Sequence, residues 1–168
     1  NPTPTPLIDV LRRFGARVDV EQTGEWQGEP VGRLRVVAQN LGSLALGGDI
    51  VPAIIDELPV LAVLAAAGGE LLVTGASELR VKESDRITAL VQGLKTLGAD
   101  ADELPDGFHV RSGHRLTGGV VQAHGDHRLA MAFAIAGLTA SEPVTIEGAD
   151  AVAVSYPSFF TDLDRLRA

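Results

Sequence analysis

Two short stretches concentrate the side chains able to do chemistry: Glu78-Leu-Arg80-Val-Lys82-Glu83-Ser-Asp85-Arg86-Ile87 and Gly125-Asp126-His127-Arg128-Leu-Ala-Met131. Each sets cations at the head of a segment whose apolar spacing predicts a helix. That is the unfavourable end for positive charge, because the helix dipole attracts anions to its N-terminus. Lys82 and Arg86, or His127 and Arg128, gain little there unless an anion shares the site. Two such arrangements point to one polyanionic ligand, with the Arg128 guanidinium supplying a planar donor fork suited to carboxylate or phosphate.

Ordinary structural readings stand beside each of these. Lys82 and Arg86 are four residues apart, so on one exposed helix face they repel by about 0.2–0.5 kcal/mol. Glu83 and Asp85 can neutralise them as a solvated helix start, which on charge spacing alone is the commoner arrangement. Asp126 can cap the second helix without any ligand, and Asp56, before an apolar run, reads locally as an N-cap. Four histidines occur, but His124 and His127 lack further ligands at recognisable spacing, so no metal is expected. Met131, Phe133 and Ile135 read as helix core. Trp26 is a lone aromatic in a Gly-rich loop region, with no basic-aromatic pattern for single-stranded nucleic acid.

The rest of the chain narrows the class. Its 168 residues, 45% of them hydrophobic, suffice for a substantial core and argue against disorder. Fourteen Lys plus Arg against twenty-two Asp plus Glu leave a net charge of -8, which disfavours nucleic acid or an anionic membrane as partner. Any anion site is therefore local. With no cysteine there is no disulfide, thiolate metal site or cysteine nucleophile in this segment, which suits a reducing compartment. The apolar run from Leu58 to Ala67 is too short to span a bilayer, and no signal-peptide pattern opens the chain. A cytoplasmic location is the expectation.

The elements that must position the charged stretches follow from periodicity and punctuation. Asn1-Pro-Thr-Pro-Thr-Pro6 reads as a connector, since three prolines remove donors. Leu7, Ile8, Leu11 and Phe14 predict a helix ended by Gly15, followed by strands over Ala16 to Val20 and Leu34 to Val37. Helical pattern resumes at Ile50, with Pro59 in a first turn and Gly68-Gly69 at the end, before a strand over Glu70 to Thr74. Ile87, Leu90, Val91, Leu94 and Leu97 predict a helix ending at Gly98. Strands over Phe108 to Arg111, Val120 to Ala123 and Val144 to Glu147, a helix over His127 to Leu138, and a final helix from about Pro157 complete the order.

Part of that order repeats. Leu-Leu-Val-Thr-Gly75-Ala76 corresponds to Val-Thr-Ile-Glu-Gly148-Ala149, and Leu-Arg-Arg-Phe-Gly15-Ala16 to Leu-Lys-Thr-Leu-Gly98-Ala99. The two matches are offset by different lengths, as a loop change inside a repeat allows. Two related α/β units, about 7–78 and 79–168, are predicted. A doubly wound parallel sheet ranks lower, because neither G-x-G-x-x-G nor G-x-x-x-x-G-K-[ST] occurs among the nineteen glycines.

The literal strings resemble a family, the 5-enolpyruvylshikimate-3-phosphate synthases, which carry R-x-K-E-[ST]-D-R and, later, D-H-R-[LM]-A-M. The similarity runs from Leu7-Ile-Asp9-Val-Leu11 to Ser155-Tyr-Pro157-Ser-Phe-Phe160, and includes Ile55-Asp56-Glu57-Leu58-Pro59-Val60, which resembles the segment around the family's catalytic aspartate. The resemblance implies an α/β (α+β) fold of repeated βαβαββ-type units, the inverse α/β barrel of enolpyruvyl transferases. This chain then forms the C-terminal portion of one domain, with the opposite, N-terminal domain absent. It implies transfer of the enolpyruvyl group of phosphoenolpyruvate to the 5-hydroxyl of shikimate 3-phosphate, with release of phosphate. Asp56 is then the acceptor of the hydroxyl proton and Glu83 the donor to the methylene, while Lys82, Arg86, His127 and Arg128 bind substrate. No cofactor or metal is implied, and the full-length protein is expected to be a monomer. Val154 stands where some relatives have Lys, and Pro4 and Pro6 stand in a segment that in many relatives has a basic residue and glycine. A UDP-N-acetylglucosamine enolpyruvyl transferase, whose cysteine would lie outside this segment, and a noncatalytic anion-binding domain are the alternatives.

Overall fold

The computed structural model describes residues 6–37 and 39–167, so most of the predicted Asn1–Pro6 connector lies outside the described residues. The chain runs α1 (Pro6–Arg13), β1 (Arg17–Trp26), β2 (Glu29–Val37), β3 (Ser43–Leu46), the short α2 (Ile50–Ala53), α3 (Leu58–Gly68) and β4 (Glu70–Val73). A 3₁₀ turn (Ser77–Val81) leads to α4 (Arg86–Thr96), β5 (Ala101–Leu104), β6 (Gly107–Val110), β7 (Gly119–Gln122), α5 (His127–Ala136) and β8 (Val144–Glu147). A second 3₁₀ turn (Ala149–Val154) and α6 (Phe159–Arg167) follow.

The strands form three sheets: the antiparallel pair β1-β2, a four-stranded sheet in the order β3-β4-β6-β5, and the parallel pair β7-β8. In the four-stranded sheet β3 and β4 are parallel, whereas β6 runs antiparallel to both β4 and β5. Residues 43–110 thus build one complete βαβαββ unit. It is preceded by an αββ portion (α1, β1, β2) and followed by a βαβα portion (β7, α5, β8, α6). The predicted repeat boundary at 78/79 cuts through this sheet, between β4 and α4, so strand pairing sets a different phase. The matched segments themselves are conformational equivalents. Gly15 and Gly98 follow α1 and α4 with φ of 107° and 88°, and Gly75 and Gly148 follow β4 and β8 with φ of 74° and 77°. All four take the left-handed geometry in which a side chain is strained.

Burial explains why the elements lie where they do. Leu44 and Leu46 of β3, and Leu71 and Val73 of β4, alternate inward under the helices. Helix α3 is apolar on every side and buries Leu58, Leu61, Ala62, Val63, Ala65 and Ala66, as a helix packed on several faces requires. It packs on α5, and Gly69 closes it where a Cβ would lie 2.8 Å from the Phe14 ring. The hairpin is the exception. Its strands cross-pair Val18 with Val36 and Val20 with Leu34 on one face, and Asp19 with Arg35 and Glu21 with Arg33 on the other. Val20, Leu34 and Val36 of the apolar face are at least half exposed. Trp26, expected in a loop, ends β1 beside a turn at Gln27-Gly28 in which both residues have positive φ.

The close approach of α4 and α5 rests on a single missing methyl. A Cβ on Gly93 of α4 would stand 2.2 Å from Cζ of the buried Phe133 of α5. Gly93→Ala would gain about 1 kcal/mol of helix propensity and lose about 1–3 kcal/mol to overpacking, with the upper end expected where the facing ring is fully enclosed. The expected outcome is a lower melting temperature by circular dichroism; a melt at or above wild type would mean that Phe133 can swing aside.

Candidate functional site

Helix α4 starts one turn later than the charge spacing suggests. Asp85 is its N-cap, accepting from the Thr88 N–H at 3.1 Å. Lys82 lies before the helix in extended backbone, so it shares no helix face with Arg86. Its ammonium is engaged with Glu78 on the preceding 3₁₀ turn. Arg80 secures that turn by donating to Asp85 at 2.9 Å and to the carbonyls of Leu104 and Pro105 at 2.6 and 2.8 Å, and by pairing with Glu103 at 2.9 Å. The Glu103 contact, opposed by desolvation and helped by Asp85, raises the Arg80 pKa further. At Asp85 partial burial works against ionisation. The Thr88 N–H, the Arg80 guanidinium and the Thr88 hydroxyl together outweigh it and hold the carboxyl below its ordinary range.

Arg86, the first residue of α4, is 1% exposed, and Asp126, the N-cap of α5, is 0% exposed; they are the buried charged side chains among the described residues. A buried guanidinium is tolerable only when its donors are matched. Here Nε donates to Asp126 Oδ2 at 2.7 Å, NH1 to Asp56 Oδ1 at 3.2 Å and NH2 to Glu83 Oε2 at 2.5 Å. Arg128, the second residue of α5, reaches the other side of Asp56: its NH2 lies 3.1 Å from Oδ2 and its NH1 donates to the Asp56 carbonyl at 3.2 Å. Asp56 therefore bridges two arginines across α4 and α5. It does not cap α3, whose N-cap position is Glu57 and has no side-chain cap. Asp56 lies one residue before that position, and its carboxylate oxygens go to the two guanidiniums.

Of the six residues singled out by sequence, Asp56, Glu83, Arg86 and Arg128 form one hydrogen-bonded network. Lys82 is turned to Glu78, and His127 is half-buried at the start of α5 and takes no part in the network. The site also includes Asp126, which the sequence suggested only as a cap. It does cap, accepting from the Arg128 and Leu129 N–H groups at 2.9 and 3.3 Å. Its partnership with Arg86 spans forty residues, and no local pattern reports such a contact. Beside Asp56 and Arg128 a cavity of about 220 Å³ opens over Pro59, Met131, Ile135 and Phe159. Two half-exposed carboxylates, Asp56 and Glu83, thus flank one fixed guanidinium, and Asp56 also borders the recess. Such groups can exchange protons with a ligand while the arginines hold its negative charge.

Loss of the α4 cap is testable through pH. Asp85→Ala is expected to cost about 1 kcal/mol. The folded pKa of Asp85 is depressed, so its contribution is complete above the ordinary Asp range and is lost as pH falls through the folded value. The gap in melting temperature between wild type and D85A should be full at neutral pH and shrink below about pH 4. A gap that stays constant into strong acid would contradict the ionised cap.

Comparison with known proteins agrees with this architecture. Residues 5–163 match the family model described as EPSP synthase (3-phosphoshikimate 1-carboxyvinyltransferase). A 3-phosphoshikimate 1-carboxyvinyltransferase of Desulfitobacterium hafniense is 49% identical over 160 residues, covering 95% of this chain and 37% of the relative. One from Synechococcus sp. WH7803 is 48% identical over 168 residues, covering 99% and 38%. The solved EPSP synthase of Acinetobacter baumannii superposes with a TM-score of 0.89 at 39% identity, over 98% of this chain and 39% of its own. The enolpyruvyl transferase NikO of Streptomyces tendae, at TM-score 0.62 and 21% identity, shares the fold. The chain thus spans well under half the length of these relatives, and its fold is that of the enolpyruvyl transferases, without a closed barrel among the described residues. With the family model matched over nearly its whole length, this chain belongs to the EPSP synthase family.

Proposed function

We propose that this chain is part of a protein that joins phosphoenolpyruvate to the 5-hydroxyl of shikimate 3-phosphate and releases phosphate. The observation that carries the reading is the Arg86 guanidinium, buried yet facing Asp56 and Glu83 through its terminal nitrogens, in a chain of this family. In the reaction Glu83 protonates the methylene carbon of phosphoenolpyruvate, while Asp56 takes the proton of the attacking hydroxyl as its oxygen bonds to the central carbon. The tetrahedral adduct then loses phosphate and a methyl proton, the latter with the help of Glu83, which restores the enol ether. Arg86 and Arg128 hold the carboxylate and phosphate of phosphoenolpyruvate, with His127 beside them, and Lys82 meets the substrate side of the cleft. Oriented cations of this kind stabilise charge on the transferring group without covalent catalysis.

The same reading assigns supporting roles. An incoming anion competes with Asp56 and Glu83 for the arginines, so both carboxylates are released toward the reacting groups as substrate arrives. No organic cofactor or metal enters the steps. The remaining wall of the cleft belongs to a separate, N-terminal domain of a cytoplasmic, monomeric protein, whose relatives extend far beyond the length matched here.

Two measurements test the assignment. Phosphate release by the purified 168-residue chain with both substrates should be negligible, because one cleft wall cannot position them; turnover near that of a complete relative would reject the need for a second wall. In the complete protein Glu83→Gln and Asp56→Asn should each lower turnover by about 10²- to 10⁴-fold. Neither carboxylate is a helix cap, so thermal melts should change far less. Normal kinetics in either variant would remove that residue from the chemistry.

A further inference from the structure

Asp126 has more acceptor capacity than a helix cap uses. Its Oδ1 accepts the Arg128 and Leu129 N–H groups and completes the cap of α5. Asn or Ser would serve there nearly as well. The other oxygen, Oδ2, is aimed away from the helix and accepts Arg86 Nε at 2.7 Å and Ser84 Oγ at 3.4 Å. Burying the second oxygen together with its charge requires a further partner, and that partner is the buried guanidinium.

We propose that Asp126 is a positioning residue, which aims the terminal nitrogens of Arg86 at the substrate anion and seats Arg128 beside them. The proposal rests on the reading that Arg86 and Arg128 hold that anion. The geometry is specific to the Nε contact. A guanidinium is planar, so a carboxylate bound at Nε fixes its rotation and directs NH1 and NH2 to the opposite end. At that end stand Asp56 and Glu83, whose side chains are 39% and 48% exposed, whereas Asp126 is sealed from solvent. One end of Arg86 is thereby anchored and the other can exchange partners. The same carboxylate holds the Arg128 backbone N–H, so the relative placement of both arginines depends on a single side chain. Their ordering cost falls in folding, before the ligand arrives.

The test uses the complete protein with D126N, D126S, R86Q and the R86Q/D126N double variant, assayed for KM of phosphoenolpyruvate and for kcat. D126N and D126S keep a capping oxygen and should retain the wild-type circular dichroism spectrum. Both should raise KM by about 10- to 100-fold, as for an anion clamp displaced by roughly an ångström, with a smaller change in kcat. In the R86Q background D126N should add less than about twofold, since nothing is left to aim. R86Q that raises KM alongside a D126N of normal KM would overturn the proposal, as would independent multiplication of the two effects. R86Q with unchanged KM would instead reject the anion-holding role of Arg86 itself, and the proposal with it. If the Asp126 variants do not fold, the native protein still decides: by NMR the Arg86 Nε–H should exchange slowly with solvent, and exchange at the rate of a free arginine overturns the anchoring.

Discussion

The ion pair between Arg86 and Asp126 is the constraint around which the rest of the molecule is arranged. Removing one charge from water costs several kcal/mol, and the attraction repays it only with good geometry and with the remaining donors satisfied. Both conditions are met: Asp126 spends its two oxygens on four donors, and Arg86 divides its three nitrogens among three carboxylates. The pair joins the first residue of α4 to the cap of α5. Those helix starts must therefore lie together, and the absence of a side chain at Gly93 lets the helices approach further along. It also resolves the odd placement of cations at two helix N-termini. Asp85 and Asp126 supply the negative charge each dipole favours, and the arginines pair with carboxylates instead of facing the bare dipole.

The scaffold around this pair is complete in the middle and open at its margins. From β3 to β6 every strand and helix of a βαβαββ unit is present, and α5 packs against its α3 and α4. By contrast β1-β2 presents Val20, Leu34 and Val36 on a face that nothing among the described residues covers. A groove of about 250 Å³ lined by Leu7, Leu11, Val60, Leu64 and Ile135 is similarly bare beside α1, α3 and α5. An isolated two-stranded ribbon is marginal in water. Its apolar face lies in a chain that spans under two fifths of its relatives' length. The Arg86 network is unaffected because its determinants lie in the complete unit and in α5.

How much of this was legible in the sequence depended on the range of the interaction involved. Helices α4 and α5 and strand β8 follow from local apolar spacing and from caps, so they appear where predicted. Strand β3 was missed because Ser43–Leu46 is only four residues long and its apolar pair needs β4 to give it meaning. Strand β5, Ala-Asp-Glu-Leu, has no strand-like composition at all and exists through its pairing with β6. The hairpin is legible only at its ends, Ala16 to Val20 and Leu34 to Val37, because the polar and Gly-rich stretch around Trp26 lacks strand alternation and is ordered by cross-strand pairing. Within the site, residue identity was readable and partnership was not. Asp56 looked like a cap because Asp before an apolar helix usually is one. Two arginines distant in sequence claim both its oxygens instead.

Partnership also decides what the network can do. A fully buried pair would be inert, and a fully exposed one would be loosely held and screened by salt. Arg86 lies between these limits because its environment is asymmetric. Nε meets a carboxylate out of reach of water, while NH1 and NH2 meet carboxylates that solvent can reach. Exchange of partners at the exposed end strands no buried charge, since Asp126 keeps its own contact and the displaced Asp56 and Glu83 gain water. A change of partner at that end therefore leaves the joint between α4 and α5 undisturbed. The buried end is held rigid, the exposed end meets partners that water also reaches, and the planarity of one guanidinium links the two.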